Sequence, residues 1–547
     1  MGLRNTQPIK FSPAGLSDAL DGSNVFPGAM QLLQNLIPDP TTKNVWTCRP
    51  AAVARPTFPG ALPDAGFVSV YKVIGTRLYG LVSTSTNAGH DEPFVYDLGT
   101  NAFVALTGVT AANTPVSPSP VSTVAWMPPT MDIIGSKIIV THPGYTGAAG
   151  NFFGWFDITT FAAPTWNAGN TATNPLIAVP SAVKQFGQRA YYIVNDPAVP
   201  GTPFSDVLDP LTITDATHVL TYGDNVPLTA LGALPLNTQL TGGVIQSLIV
   251  FKEAAMFQVT GDAASTTNPL AVNGMNVAVG TVAPNTVTTT PKGLAFLAVD
   301  GVRVISFQGT VSDPIGEAGM GVTVPFINVA TPSRAVSACN ANTFRISLNT
   351  TLATGVANQE YWYNIGRGCW SGPHTFPASM IQAYSNTFVM TPIDVLGKLF
   401  QSDAIQSLAS VFIENGFQLS FNWRTANLPD VQSMAELNML ETTLNIAGST
   451  DNVTYQVQFV TSDGGVLDTV TLAIAAGSTR WGSFTWGGAV WSVSTTGLSP
   501  VPVNWHNPIV FRKGALGISG FSYAGFKIGD LFMRTEQLGY LQQVSAA

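Results

Sequence analysis

The sequence predicts an all-β protein: a β-propeller of about six to seven blades followed by a further C-terminal β-sandwich-like domain. Three observations carry this expectation. Short apolar runs alternate with turn residues along most of the chain, similar units recur at a spacing longer than one hairpin, and the texture changes after about residue 404. The pattern is plainest between Gly243 and Gly309. There VIQSLIVFKEAAMFQVTGD turns back at Lys252-Glu253-Ala254, and GLAFLAVDGVRVISFQG turns back at Asp300-Gly301. Asp-Gly between alternating apolar residues marks a hairpin, because the turn needs positive φ at residues that tolerate it.

Residues 1–60 are rich in Pro, Gly and Asn and carry no period, so they read as an extended lead-in that packs along other elements. One short helical turn is expected around Met30 to Leu36. From Phe67 to Leu106 two hairpins, turning at Gly75-Thr76 and at Gly99-Thr100-Asn101, form a four-strand meander. Similar units follow, with turns at Gly135-Ser136 and Gly187-Gln188, then around Ser247 to Val259 and Leu294 to Phe307. TFRISLNT with QEYWYNIGRGCWSG comes next, and FVMTPID with GKLFQSD more weakly. The strands Arg77 to Val82, Lys137 to Thr141, Arg189 to Val194, Ser247 to Phe251, Leu294 to Val299, Phe344 to Leu348 and Lys398 to Gln401 read as the inner strands. They are separated by roughly 45 to 60 residues, near the ~40 to 50 residues of a four-stranded propeller blade. The propeller is placed at 61–404.

Residues 405–547 form a separate β-rich domain in this reading. MAELNMLETTLNIAGSTDNVTYQVQFVTSDGGVLDTVTLAI alternates apolar and polar residues about a turn at Gly464-Gly465, and the closing GISGFSYAGFKIGDLFMRTEQLGYL supplies two more strands. The best helix candidate, Ala404 to Glu414, is short.

Only 10% of the 547 residues are Asp, Glu, Lys or Arg, against roughly 25% in an average soluble protein. A surface of neutral polar residues suits a chain that packs against other subunits. A formal net charge of −8 argues against a basic clamp on nucleic acid, which needs clustered cations to displace counterions from phosphates. No apolar run reaches the ~18 residues of a spanning helix, and the N-terminal stretch MGLRNTQPIKFSPAGL lacks the apolar region of a secretory signal. Cys48, Cys339 and Cys369 are too few and too scattered for a disulfide framework and read as buried thiols.

Catalytic signatures are scarce. The phosphate-binding G-x-x-x-x-G-K-[ST], the zinc motif H-E-x-x-H, C-x-x-C and G-x-S-x-G do not occur, and His90, His142, His218, His374 and His506 show no ligand spacing. Asp97, Asp157, Asp206, Asp209, Asp262, Asp300 and Asp313 follow apolar strands. A pair of them across a propeller channel would suit glycoside hydrolysis, but Asp is also a preferred turn residue that hydrogen-bonds its own backbone. Trp155, Trp362, Trp370 and Trp423 read as packing residues. Trp481, Trp486 and Trp491 are dense enough to line a subunit contact. No catalytic, cofactor-binding or metal residue is assigned, and no cofactor is expected.

SLIVFKEAAMFQVTGD followed by GLAFLAVDGVRVIS resembles the central signature of the tail hub or nozzle proteins of short-tailed bacteriophages, the packaged-DNA stabilisation and tail tubular protein B group. The Lys252 to Asp262 ending, the opening with Asn35, Leu36, Arg49 and Pro50, and FSDVLDPLTIT at Phe204 to Thr214 are similar to that family. The resemblance covers about the first 400 residues and drifts after Gly309. It implies a non-enzymatic structural subunit of the virion tail, made in the host cytoplasm and assembled as a ring, a hexamer. Such a nozzle retains the packaged double-stranded DNA and passes it without sequence-specific binding. It would contact tail adaptor and portal-side proteins, tail fibres or a tip plug. The alternative is a carbohydrate-binding or glycoside-hydrolysing β-propeller.

Overall fold

The computed structural model describes residues 6–17, 28–55, 65–84, 89–117, 128–195, 200–237, 244–315, 326, 329–352, 355–393, 398–402, 412–428, 436–447, 453–474, 498–523 and 526–538. The chain is all-β. Each expected hairpin of the central stretch is present: Val244–Phe251 pairs with Met256–Thr260, and Gly293–Ala298 pairs with Gly301–Ser306. At the tip of the hairpin Ala182–Phe186 with Arg189–Ile193, both Gly187 (φ 54°) and Gln188 (φ 60°) are left-handed. That is the pair of conformations a tight two-residue hairpin turn requires.

Seven small sheets follow one another along the chain. Their first strands are Ala65–Ile74, Thr130–Ile134, Ala182–Phe186, Ala230–Asn237, Thr288–Thr290, Val336–Asn340 and Ala378–Tyr384. Each packs on the next, and Ala378–Tyr384 packs back on Ala65–Ile74, so the cycle closes. Polar bonds stitch the seams. Val183 N–H donates to Thr130 Oγ1 (3.0 Å), Ala378 N–H to Ser347 Oγ (2.9 Å), and the Tyr71 hydroxyl to the carbonyls of Met380 (3.0 Å) and Val389 (2.8 Å). The strands read from sequence as inner ones, Arg77–Thr84 and its counterparts, are instead the second strand of each sheet. Their continuous apolar runs stood out because both faces are covered. In the last sheet Phe400–Ser402 is the third strand, after Thr387–Pro392.

The final strand of that seventh sheet comes from the other end of the sequence: Val53–Ala54 pairs antiparallel with Phe400–Ser402. The lead-in is therefore not a separate element. Thr6–Phe11 and Trp46–Cys48 pair with Lys527–Leu538, and Ala29–Gln34 pairs with Ser420–Thr425. The helical turn expected near Met30 is a strand, because Met30 and Leu33 are fully buried on the face of that sheet. Two larger sheets result. One holds Leu36–Pro38, Trp46–Cys48, Lys527–Leu538, Glu436–Ala447 and Ser499–Pro502. The other holds Gly15–Leu16, Ala29–Gln34, Ser420–Thr425, Gly514–Phe521, Val453–Thr461 and Val466–Ile474. Their apolar faces share one core, in which Phe459 meets Phe511 at 4.6 Å and Phe421 meets Phe526 at 4.5 Å between ring centroids. Burying rings of this size contributes most of the packing energy available to such a layer. The helix expected over Ala404 to Glu414 lies largely outside the described residues, and its last two residues, Ile413–Glu414, are a strand.

A buried ion pair joins the two ends. Arg49 is 2% exposed and Glu414 7%; Nη1 and Nη2 of Arg49 donate to the two carboxylate oxygens at 2.9 and 2.8 Å. Arg49 Nε also donates to Asn35 Oδ1 (2.9 Å), and Ala52 N–H donates to Glu414 Oε1 (2.9 Å). The bidentate geometry and the extra donors offset the cost of taking both charges out of water. Removing one partner leaves the other charge buried and alone. Glu414→Ala is expected to cost about 3 to 5 kcal/mol, read as a lowered urea midpoint. The double variant Arg49→Met with Glu414→Leu should recover much of that loss, and an unchanged midpoint in Glu414→Ala would contradict the role given to the pair.

Candidate functional site

The seven first strands surround a cavity of about 250 Å3. Its lining takes residues from every sheet in turn. Lys72, Thr130, Lys184, Asn285, Ser337 and Gln382 supply its hydrogen-bonding groups. Asp132 sits just behind this wall, 6% exposed. Its Oδ1 accepts from Lys72 Nζ and from Ile133 N–H (3.0 Å), and its Oδ2 accepts from Gln185 N–H (2.8 Å) and Lys184 Nζ (3.3 Å). Burial alone would push the Asp132 carboxyl up. The Lys184 and Lys72 ammonium groups and the Gln185 amide outweigh it and hold the carboxyl well below the usual range. Burial pulls the Lys72 ammonium down from its ordinary value, Asp132 opposes that pull, and Lys184 adds to it.

These three residues share one structural address. Each lies three positions before the turn glycine of its hairpin: Lys72 before Gly75, Asp132 before Gly135, Lys184 before Gly187. A charged residue at the same place in three consecutive apolar strands is the signal that sequence reading missed. The position lies on the first strand of each sheet, the edge strand that borders the cavity.

The residues singled out from sequence do not gather there. Asp97 Oδ1 accepts from the Gly99 and Thr100 amides (2.8 and 3.0 Å), Asp157 from Thr159 (2.9 Å), Asp209 from Leu211 (3.1 Å) and Asp262 from Ala264 (3.0 Å). Those are turn bonds. Asp206 accepts from the Thr214 hydroxyl (3.0 Å), Asp300 is paired with Arg303, and Asp313 is exposed. None of the seven lines the cavity. The histidines hold structure. His142 Nδ1 accepts from Gly144 N–H (2.9 Å) while Nε2 donates to Asp91 Oδ2 (3.0 Å), and Ser117 donates to the same carboxylate rather than to the imidazole. His374 accepts from Asn35 N–H (3.0 Å), and burial first, then Arg49 and Arg345, push it well down, so it is neutral. His90 lies against the Thr114 carbonyl, His218 stacks on Phe204, and His506 faces Asp468.

Trp370 and Trp423 are fully buried. Trp362 donates to Glu360 Oε1 (2.7 Å) and carries the Arg345 guanidinium on its face at 4.3 Å. Trp481, Trp486 and Trp491 lie outside the described residues. Burial pushes the thiols of Cys48 and Cys369 up to about 12, and that of Cys339, which borders the cavity, to about 11. Among the described residues, no three His, Cys, Asp or Glu side chains are grouped to hold a metal ion, and no helix is long and apolar enough to cross a membrane.

No family model matches the chain, and no curated protein matches it. Solved structures with a similar outline include a glycoside hydrolase family 43 arabinoxylan arabinofuranohydrolase from Bacillus subtilis. It is 10% identical, with 90% of this chain and 99% of that one covered and a TM-score of 0.23. A family 32 β-fructofuranosidase from Bombyx mori is 8% identical, covering 90% and 94%, with a TM-score of 0.26. A puromycin-hydrolysing peptidase from Mycobacterium tuberculosis is 10% identical, covering 69% of this chain and 61% of that one, with a TM-score of 0.35. At these scores the likeness carries no argument about what this chain binds.

The expectation of a non-enzymatic structural subunit that conducts DNA is corrected by this comparison. The similar structures reported are glycoside hydrolases and peptidases, with no tail protein among them. The phrases behind that expectation have a local cause. Lys252 Nζ donates to the Tyr222 (2.9 Å) and Asp224 (3.2 Å) carbonyls and to the Asp224 carboxylate, and Asp209 closes its own turn. Those residues serve hairpin and sheet geometry, which chains of unrelated function share.

The cluster has an acid signature. Because the Asp132 carboxyl is lower in the folded chain than its ordinary 3.8, it contributes stability that is present above about pH 4 and lost as pH falls. Asp132→Asn should be less stable than the native chain at pH 7 and should lose less of its remaining stability between pH 5 and pH 2. Parallel acid profiles in thermal melts would contradict the assignment.

Proposed function

We propose that the seven sheets form a seven-bladed β-propeller, joined to a β-sandwich that both chain ends build, and that the central channel binds a carbohydrate. The observation that carries this reading is the channel lining: ammonium, amide and hydroxyl groups contributed by successive blades around a cavity of about 250 Å3. A sugar presents a ring of oxygens that such convergent donors and acceptors match. The volume lies below the ~300 to 1,000 Å3 typical of sites for drug-sized ligands, so the channel suits one sugar residue or the end of a longer glycan. Hydrolysis by the usual route needs two carboxylates about 5 to 10 Å apart. Asp132 supplies one at the channel, already held by two lysines.

Membership of the tail hub family, self-association as a ring, contact with tail adaptor and fibre proteins and a virion location are proposals resting on the Lys252 to Asp262 and Phe204 to Thr214 phrases. The conduit function is not among them. Mass from light scattering tests the ring: a monomer at micromolar concentration sets it aside.

A glycan array, run with aryl glycosides so that cleavage is read alongside binding, tests the carbohydrate reading. Binding or turnover of at least one glycan class, weakened in Lys72→Met, is expected. Silence across the array would overturn it.

A further inference from the structure

The channel's charges do not cancel. Lys72 and Lys184 face one carboxylate, and among the described residues no other charged side chain lines the cavity. Asp132 is saturated, its two oxygens already accepting from two ammonium groups and two backbone amides. The lysines are not. An ammonium carries three donors, and Asp132 engages one from each lysine. Two donors on each side chain are left for a partner at the cavity they line, together with one positive charge that Asp132 does not neutralise.

Water can satisfy those donors but cannot neutralise the charge. A ligand oxygen that carries a negative charge does both, and it adds to each hydrogen bond a charge–charge attraction that a neutral hydroxyl lacks. The rest of the lining favours a polyol beside that anion. Asn285 and Gln382 offer amides that donate and accept, while the Thr130 and Ser337 hydroxyls are held by Val183 N–H and by the Thr286 carbonyl. The three charged residues come from three consecutive sheets, at Lys72, Asp132 and Lys184, so the anionic end of the ligand is placed on one side of the channel and the neutral hydroxyls toward the other.

We infer that the channel selects an acidic sugar, one bearing a carboxylate such as a uronic acid, with Lys72 and Lys184 receiving that carboxylate and Asp132 acting as a positioning residue that anchors the two ammonium groups side by side. This rests on the carbohydrate reading of the same channel and narrows it to one chemical class.

Isothermal titration of the intact chain with methyl β-glucuronide, methyl β-glucoside and acetate tests it. The glucuronide should bind roughly tenfold or more tightly than the glucoside and more tightly than acetate. Lys184, on the more open side of the cluster at 32% side-chain exposure, is the residue to vary. Lys184→Met should bring the glucuronide down to the affinity of the glucoside, and Lys184→Arg should retain the preference. Equal binding of the two glycosides by the native chain overturns the inference while leaving the carbohydrate reading in place. Acetate binding as tightly as the glucuronide also overturns it, since the sugar then contributes nothing. Neither glycoside binding, in a chain that also fails the glycan array, removes both readings together.

Discussion

The buried pair Arg49–Glu414 is the interaction on which the rest of the architecture depends. Arg49 belongs to the segment that leads into the seventh sheet's last strand, and Glu414 to the hairpin that follows that sheet. A ring of sheets closes only if its last member is completed, and here Val53–Ala54 completes it from the chain's beginning. Short strand pairing of two residues is weak by itself. The ion pair, with the Ala52 amide and the Asn35 side chain drawn onto the same groups, fixes that strand in register. The same lead-in then supplies strands to both larger sheets, so closure of the ring and completion of those sheets draw on one segment.

A second buried network lies alongside. Arg345 is bound to Glu360 and donates to Ser402 Oγ (2.6 Å), linking the sixth sheet to the seventh, and its guanidinium lies between Trp362 and Phe388. His374, kept neutral by burial, accepts from Asn35 and so ties the sixth sheet to the lead-in. Charged residues are scarce in this chain, and several of the buried ones stand at such junctions or at the channel. That distribution places buried charge where elements join and around the cavity.

Much of the fold was legible because hairpins are local. Gly187-Gln188 and Asp300-Gly301 announce their turns in two residues, and the alternation in Val466–Ile474 matches its alternating burial. The lead-in was not legible, because its partners lie some hundreds of residues away and nothing local distinguishes a strand that pairs at such distance from an extended segment. Met30 and Leu33 carry helix-compatible residues into a strand for the same reason: tertiary burial overrides propensity. The site was hidden differently. Carboxylates at turns drew attention through their number, whereas Lys72, Asp132 and Lys184 look unremarkable singly and gain meaning only when three repeats are aligned on their turn glycines.

Arg49 and Glu414 couple the lead-in to the ring of sheets and to the two larger sheets. Hydrogen exchange of the Arg49→Met variant measures this directly. The account predicts that amides in Val53–Ala54, Phe400–Ser402 and Ser420–Thr425 lose protection together, although only one side chain near them has changed. Loss confined to the residues touching Arg49, with Phe400–Ser402 and Ser420–Thr425 as protected as in the native chain, would contradict it.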